Sequence, residues 1–234
     1  MDFNDLAPER DRAKFGRRME RAIGPAGVFL RGFVEHPRMV GSIIPSSRAT
    51  IGRMLAPVKW DECKLFVEYG PGVGTFCRPV LDRLQRDAEL LVIDTNPLYI
   101  DYLRRTISDS RFHAVLGSAA DVEAIVASIG HDHADYVLSG LPFSTLPPGI
   151  GPAVAAATYR IIRPGGAFLT YQFSAVARDL TAAHFDRVET GFVWRNVPPC
   201  LLAWGWKDEA GTAGETGAKA DGRYADVSRT SVAG

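Results

Sequence analysis

The chain has 234 residues, 46% of them apolar, and its 27 Lys and Arg balance 27 Asp and Glu for a formal net charge of zero. This fits one globular domain with a sizeable core and excludes the strong basic excess of a general nucleic-acid binder, so no nucleic-acid partner is expected. The three cysteines, at 63, 77 and 200, show no C-x-x-C or Cys/His spacing, which speaks against a disulfide framework and structural zinc and fits a reducing cytoplasm. No apolar stretch reaches bilayer-spanning length, and no signal peptide is expected at the start.

Residues 1–60 read as a helical extension ahead of the main domain. Between Arg10 and Arg53, ten Lys or Arg stand against Asp11, Glu20 and Glu35, about +7 in a neutral chain. Such asymmetry predicts a partner of opposite charge. A basic amphipathic helix is expected over 11–23, with Phe15, Met19 and Ile23 at i, i+4, i+8 and Lys14, Arg17, Arg18 and Arg21 among its polar positions. Gly24–Pro25 ends it. A second apolar segment runs from Val28 to Val34, with His36 and Arg38 around Pro37. Pro45, Ser46 and Ser47 predict a turn and a cap for a helix over about 48–55 that stops before Pro57.

A strand is expected near 64–69. Its apolar run Leu65–Phe66–Val67 leads into Glu68-Tyr-Gly70-Pro-Gly72-Val-Gly74-Thr. Glycines at alternate positions allow close backbone approach to a ligand where a Cβ would block it. The spacing departs from the G-x-G-x-x-G of dinucleotide sites. With an acid in front, it suits a ligand that lacks a pyrophosphate but carries a charged amino-acid end and a nucleoside. The next strand, near 90–94, ends in Asp94 followed by Thr95. An acid there, about 20 residues past the glycines, is placed to accept hydrogen bonds from ribose hydroxyls. On the E-x-G-x-G-x-G loop and Asp94, the chain resembles the class I S-adenosylmethionine-dependent methyltransferases. The bland alternative is a tight strand-to-helix turn with no ligand.

Helices near 75–86, 97–107, 120–129 and 149–162 alternate with strands near 111–116, 134–139, 166–173, 186–194 and 200–206. Alternation of this kind predicts an α/β, doubly wound, mostly parallel sheet. The last two strands, joined around Asn196-Val-Pro-Pro199, suit an antiparallel edge hairpin, which makes the pattern resemble the seven-stranded methyltransferase sheet. The methyltransferase domain is therefore expected over 61–207. Residues 208–234 have almost no large apolar side chains and are expected to be disordered.

Gly117-Ser-Ala-Ala-Asp121 follows the third strand. The class resemblance implies an acid one place after such a glycine, contacting the adenine amino group. Ser118 stands there instead, and its hydroxyl with the Ala119 amide is the expected substitute. Alternatively, Ser118 and Asp121 only cap the following helix. The fourth strand ends in Leu138-Ser139-Gly140-Leu141-Pro142-Phe143-Ser144, at the edge where doubly wound sheets hold ligands. This turn resembles the Asn-Leu-Pro-Tyr and Asn/Asp-Pro-Pro-Tyr turns of amino-methylating enzymes, with Gly140 at the Asn position. Loss of that amide removes the group suited to a base-edge amine. Ser139 is assigned to the cofactor side of this turn and Leu141, Pro142 and Phe143 to the reacting side.

Together with Val40-Gly-Ser-Ile-Ile-Pro-Ser-Ser47 and Asn196-Val-Pro-Pro199, this turn makes the chain resemble the bacterial phospholipid N-methyltransferases, from about Val28 to Trp206. The resemblance implies S-adenosylmethionine as cofactor and phosphatidylethanolamine as substrate, methylated toward phosphatidylcholine. It also implies a cytoplasmic protein bound peripherally to the inner membrane. Lys14, Arg17, Arg18 and Arg21 would meet an anionic surface, His36 and Arg38 the lipid phosphate, and Ser46 and Ser47 would stand on the substrate side. Tyr171, beside Gln172 at the end of the fifth strand, is the leading residue for amine contact, and Phe143 is expected as an aromatic wall for the methylated cation. Ribosomal-RNA adenine dimethyltransferases share the sheet and the Leu-Pro-aromatic turn but usually add a helical RNA-binding domain. RNA adenine methylation and a non-catalytic S-adenosylmethionine-binding module stay open as alternatives. His131 and His133 flank Asp132 with no third ligand apparent, so no metal is expected.

Overall fold

The sequence alternates strand-length apolar runs with helical stretches, and the chain folds accordingly. The computed structural model describes residues 48–172, 175–193 and 200–209. Its elements in chain order are α1 (Arg48–Leu55), β1 (Leu65–Tyr69), α2 (Cys77–Leu81), β2 (Glu89–Asp94), α3 (Pro97–Thr106), β3 (Phe112–Leu116), α4 (Val122–Ser128), β4 (Ala134–Ser139), α5 (Ile150–Ile161), β5 (Ile162–Gln172), α6 (Val176–His184), β6 (Arg187–Val193) and β7 (Cys200–Trp206). The seven strands form one sheet in the order β3-β2-β1-β4-β5-β7-β6. The first five strands pair in parallel, and β7 runs antiparallel to both β5 and β6.

Strand periodicity divides the core in two. Phe66, Leu90, Val92, Tyr136 and Leu138 face one side, against Met54, Phe76 and Leu103 of the helical layer formed by α1, α2 and α3. Val67, Tyr69, Leu91, Ile93 and Val137 face the other, against Val122, Val154 and Phe185 from α4, α5 and the end of α6. The central strands β1 and β4 are buried at every residue, as strands covered on both faces must be. Helix α1 is fixed to the antiparallel end of the sheet: the Trp204 indole donates to the Met54 carbonyl at 3.0 Å, and Arg53 donates to the Phe192 carbonyl.

Several boundaries differ from those expected, each for a local reason. The glycine turns extend to Phe76, because Gly74 N donates to Pro71 O and Cys77 N to Gly74 O; α2 is therefore five residues long instead of twelve. Strand β5 starts at Ile162, four residues early. Pro164-Gly-Gly166 looks like a turn in sequence but is absorbed as an irregularity, with the register shifting between Ala134 and Tyr136. A Cβ on Gly166 would lie 2.3 Å from the Asp135 carbonyl, so only glycine lets β5 pass there. Helix α6 was not anticipated; its i, i+4 pair Ala177 and Thr181, both buried, is the signal that marks it. The hairpin pairing of β6 with β7 is as expected, while its connection around 196–199 lies outside the described residues, as do residues 1–47 and 210–234.

Asp135 pins the start of the sheet. Its buried carboxylate accepts from the Lys64 and Leu65 backbone amides at 2.7 and 2.8 Å and from Arg163 Nε. It joins the loop before β1, β4 and β5 at one point. Asp135→Ala should cost about 3 kcal/mol in urea unfolding, because two amides and a half-buried guanidinium lose their acceptor. Arg163→Ala should cost clearly less, since the amides still solvate the carboxylate; equal losses would disprove this account.

Candidate active site

The parallel ladders run one residue beyond the strands at the carboxyl edge. Gly70 N donates to Ile93 O at 2.9 Å, Gly140 N to Tyr69 O at 2.9 Å, and Gly117 N to Asp94 O at 3.0 Å. The exits of β3, β2, β1 and β4 therefore lie side by side, at the point where doubly wound sheets hold their ligands. Gly70, Gly72 and Gly74 have φ of 62°, 55° and 80°, values that a Cβ disfavours. Packing adds to the demand at Gly74, where a Cβ would stand 2.6 Å from Leu103 Cδ2.

Between these exits lies a cleft of about 100 Å³, lined by Gly70, Asp94, Thr95, Asn96, Tyr99, Gly140, Leu141, Pro142 and Leu146. Asp94 Oδ1 accepts from the Asn96 amide at 2.8 Å. Burial pushes the Asp94 carboxyl up to about 6, while backbone amides of Asn96, Gly72 and Thr95 hold it back. Asn96 Oδ1 caps α3 by accepting from Leu98 N at 3.0 Å, and its Nδ2 is buried with no partner among the described residues; Tyr99 Oη is likewise buried with no partner among them. Orphaned buried donors of this kind cost roughly 1–3 kcal/mol each. One acceptor and two such donors on neighbouring residues, beside backbone that carries no Cβ, fit a nucleoside. Asn96 and Tyr99 were missed in the sequence. In sequence Asn96-Pro97 signals no more than a helix start, and no motif singles out a tyrosine one turn further on.

Other candidates sit behind this surface. Glu68 is 1% exposed and accepts from the Cys77 thiol at 3.6 Å. Burial, with a smaller push from Asp94, raises its carboxyl to about 8 against the Cys77 hydrogen bond. Ser118 caps the short helical turn 119–121 by accepting from Ala120 N, whereas Asp121 makes no side-chain cap. Ala119 is buried. Ser139 is fully buried and accepts from Leu141 N at 3.2 Å, so it shapes the turn after β4. Phe143 is buried edge-on to Phe168. The tight turn that begins with Phe143 N donating to Leu141 O directs it into the core, and it does not line the cleft as an aromatic wall.

Tyr171 lies beside the cleft residue Gly140. Its ring packs on Phe76 with centroids 5.0 Å apart. A Cβ on Gly140 would fall 2.8 Å from Tyr171 Oη and 2.9 Å from Gly70 O. The phenol thus occupies the space into which a side chain at 140 would project. Burial, then the neighbouring Glu68, raises the Tyr171 pKa above its ordinary range. Gln172 Nε2 donates to the Leu141 carbonyl and fixes the turn. Lys14, Arg17, Arg18, Arg21, His36, Arg38, Ser46 and Ser47 fall outside the described residues. His131 Nε2 donates to the Glu89 carboxylate at 2.9 Å, while Asp132 and His133 are exposed.

No protein-family model matches the sequence. The chain is 27% identical over 174 residues to the ornithine lipid N-methyltransferase of Singulisphaera acidiphila, covering 74% of this chain and 91% of that protein. The fold is similar to the N-methyltransferase NodS of Bradyrhizobium japonicum, with TM-score 0.57, 14% identity, and 69% and 94% of the two chains covered. NodS has also been solved with S-adenosylhomocysteine. The precorrin-6y C5,15-methyltransferase of Geobacter metallireducens gives TM-score 0.56 at 14% identity over 72% and 92% of the chains. The fold is that of the class I S-adenosylmethionine-dependent methyltransferases. Fold and homology together place the chain among the enzymes that use this cofactor.

The crowding at Gly140 has a measurable consequence. Gly140→Ala should weaken S-adenosylhomocysteine binding at least tenfold by calorimetry and lower the thermal midpoint. Adding Tyr171→Phe should restore only part, because the Gly70 carbonyl remains in the way. Full binding by Gly140→Ala alone would show that the cleft does not depend on this contact.

Proposed function

We propose that this chain transfers methyl groups from S-adenosylmethionine to the primary amine of a membrane lipid, phosphatidylethanolamine first, and onward through its methylated forms toward phosphatidylcholine. The observation that carries this reading is the Gly140–Tyr171 contact. Where amino-methylating enzymes of nucleic acids set an amide to grip the planar edge of a base, this chain has no side chain, and a phenol stands there instead. A single hydroxyl suits an aliphatic amine, which has no base edge to read.

Asp94 would accept from the ribose hydroxyls, since a carboxylate with bonded amides keeps acceptor capacity. Asn96 and Tyr99 would donate to the nucleoside, and Thr95 would border it. Gly70, Gly72 and Gly74 would let the backbone lie against the amino-acid end, with Glu68 behind them as its counter-charge. Ser118 and Ala119 would edge the adenine. When bound, S-adenosylmethionine supplies an electrophilic methyl group on a sulfonium. The protein's part is to hold a neutral amine in line with it. Leu141, Pro142 and Leu146 give that amine an apolar surround, which lowers an ammonium pKa by desolvation. The raised pKa keeps Tyr171 protonated, so it positions the nitrogen by hydrogen bonding and does not act as a phenolate base. The basic positions Lys14 to Arg21 would hold the protein peripherally at an anionic cytoplasmic membrane surface. A second lipid acceptor, an ornithine lipid, is favoured by the name of the Singulisphaera protein.

Labelled methyl transfer separates the readings. Lipid dispersed in nonionic detergent, as phosphatidylethanolamine or ornithine lipid, should accept label, and RNA should not. Tyr171→Phe should lower kcat 10- to 100-fold with S-adenosylhomocysteine affinity within about twofold. Label in RNA alone would overturn the lipid reading, and tight cofactor binding with no acceptor at all would make the chain a binding module.

Asp94 also fixes a pH dependence. With the free carboxyl at about 6, hydroxyl donors from a bound ribose favour its ionised form, so protonation competes with binding. Affinity for S-adenosylhomocysteine should fall gradually with pH below about 8, where Glu68 takes up its proton, and steepen below about 6 by up to a further tenfold per unit as Asp94 is protonated. Asp94→Asn should bind weakly throughout and lose the inflection. A wild-type affinity that stays level from pH 7 to 5 would remove Asp94 from the site.

A further inference from the structure

Between Asp135 and Arg160 lie 24 residues without a charged side chain, in a chain whose residues are 23% charged. In strand β4 and on the inner face of α5, neutrality follows from burial. It does not in between, where eight of the ten residues at 144–153 are exposed. An exposed, functional loop of this length ordinarily carries charge.

The neutral stretch is continuous with the cleft. Pro142 and Leu146 line the cleft, and the chain runs outward from Leu146 to Ile150, which is 39% exposed. Gly151 is buried where α5 meets α6: a Cβ on it would lie 3.1 Å from Leu180 Cδ1. That packing sets the first turn of α5 against the middle of α6, and Val176, the first residue of α6, is also 39% exposed. Both helices begin at the carboxyl edge of the sheet, on the rim of the site. The charges closest in sequence to Val176, Arg178 and Asp179, are paired with each other at 2.7 Å.

The backbone of this rim is suited to a medium without water. Pro147, Pro148 and Pro152 have no N–H. Thr145 N donates to Pro142 O, Ile150 N to Pro147 O and Ala153 N to Gly149 O. Three of the seven N–H groups in the stretch are paired in this way, which lowers the cost of meeting hydrocarbon.

We infer that residues 144–153, with Val176, form the ridge that enters a lipid surface, so that a headgroup amine reaches Tyr171 while its acyl chains stay in the bilayer. This rests on the lipid-amine reading above and names how that substrate is presented. The ridge is neutral, so its contribution is independent of anionic lipid and persists at high salt, unlike that of the basic segment.

The test uses the full chain and vesicles of phosphatidylcholine alone in 0.5 M salt. The double variant Ile150→Asp, Val176→Asp should reduce partitioning into these vesicles at least tenfold. It should leave S-adenosylhomocysteine affinity within twofold, and methyl transfer to detergent-dispersed lipid unchanged. In Ile150→Trp, the introduced indole should be quenched by lipids brominated along the acyl chain. Partitioning of the double variant equal to wild type, or an indole that brominated lipid does not quench, overturns the inference. So does a wild-type dimer that the double variant converts to monomer with partitioning unchanged, because the ridge would then be covered by a second copy. If no lipid accepts label from the wild type but partitioning still depends on Ile150 and Val176, the surface stands and the lipid-amine reading falls.

Discussion

The end of β1 and the end of β4 approach so closely that neither Gly70 nor Gly140 has room for a full side chain on the facing side. A Cβ on Gly140 would stand 2.9 Å from the Gly70 carbonyl, and one on Gly70 would stand 3.1 Å from Leu141. Parallel pairing forces this approach: Gly140 N must reach Tyr69 O to continue the ladder, and β1 is held from its other side by β2. The cleft and the phenol beside it follow from that contact. Because the backbones meet there, Tyr171 from the neighbouring strand can bring its hydroxyl to the strand exit. A larger residue at 140 would push the phenol away and reopen the register.

Burial then sets the chemistry of what lines and backs the cleft. Two carboxyls, Glu68 and Asp94, stand at the ends of adjacent strands, and both are raised chiefly by desolvation. They differ in how they are compensated. Asp94 has backbone amides from the loop that follows it, so its rise is modest; Glu68 has only the Cys77 thiol, a weak donor, and rises further. In the free protein near neutral pH, Asp94 is thus mostly an anion ready for hydroxyl donors. Glu68, with its carboxyl pushed up to about 8, is mostly protonated there. A protein that kept both fully charged in this space would lose stability for as long as the site stood empty of ligand.

Periodicity made most of the fold readable from the residues. Runs such as Leu65–Val67 and Leu90–Ile93 are too short and too apolar for anything but buried strands, and the breaks between them carry helix or turn signals. The legible part of the site was the part where the backbone itself is constrained: the alternate glycines, and the acid that ends β2. What stayed hidden depends on contacts across the chain. Pro164-Gly-Gly166 has the composition of a turn, yet pairing with β4 and the contacts of Lys207 hold it within β5. Phe143 has the composition of a site aromatic, yet the local turn sends it to Phe168. Asn96 and Tyr99 announce nothing locally, and their importance comes only from polar atoms left without partners once the core has closed around them.

The distribution of charge along the chain follows the same logic at the scale of the surface. A zero total conceals a basic stretch before residue 53 and a neutral one from 136 to 159. These attract in different ways. Basic side chains act over a Debye length and weaken with salt, so they concentrate a protein near an anionic surface without fixing its depth. A neutral, proline-rich ridge acts only on contact, through the apolar area it removes from water, and so fixes which face turns inward. Because the ridge continues the wall formed by Pro142 and Leu146, the face it selects is the one on which the cleft opens. Under the lipid-amine proposal, orientation and access would therefore be one structural property: a change that turned the ridge away from a lipid surface would also turn the cleft and Tyr171 away from it.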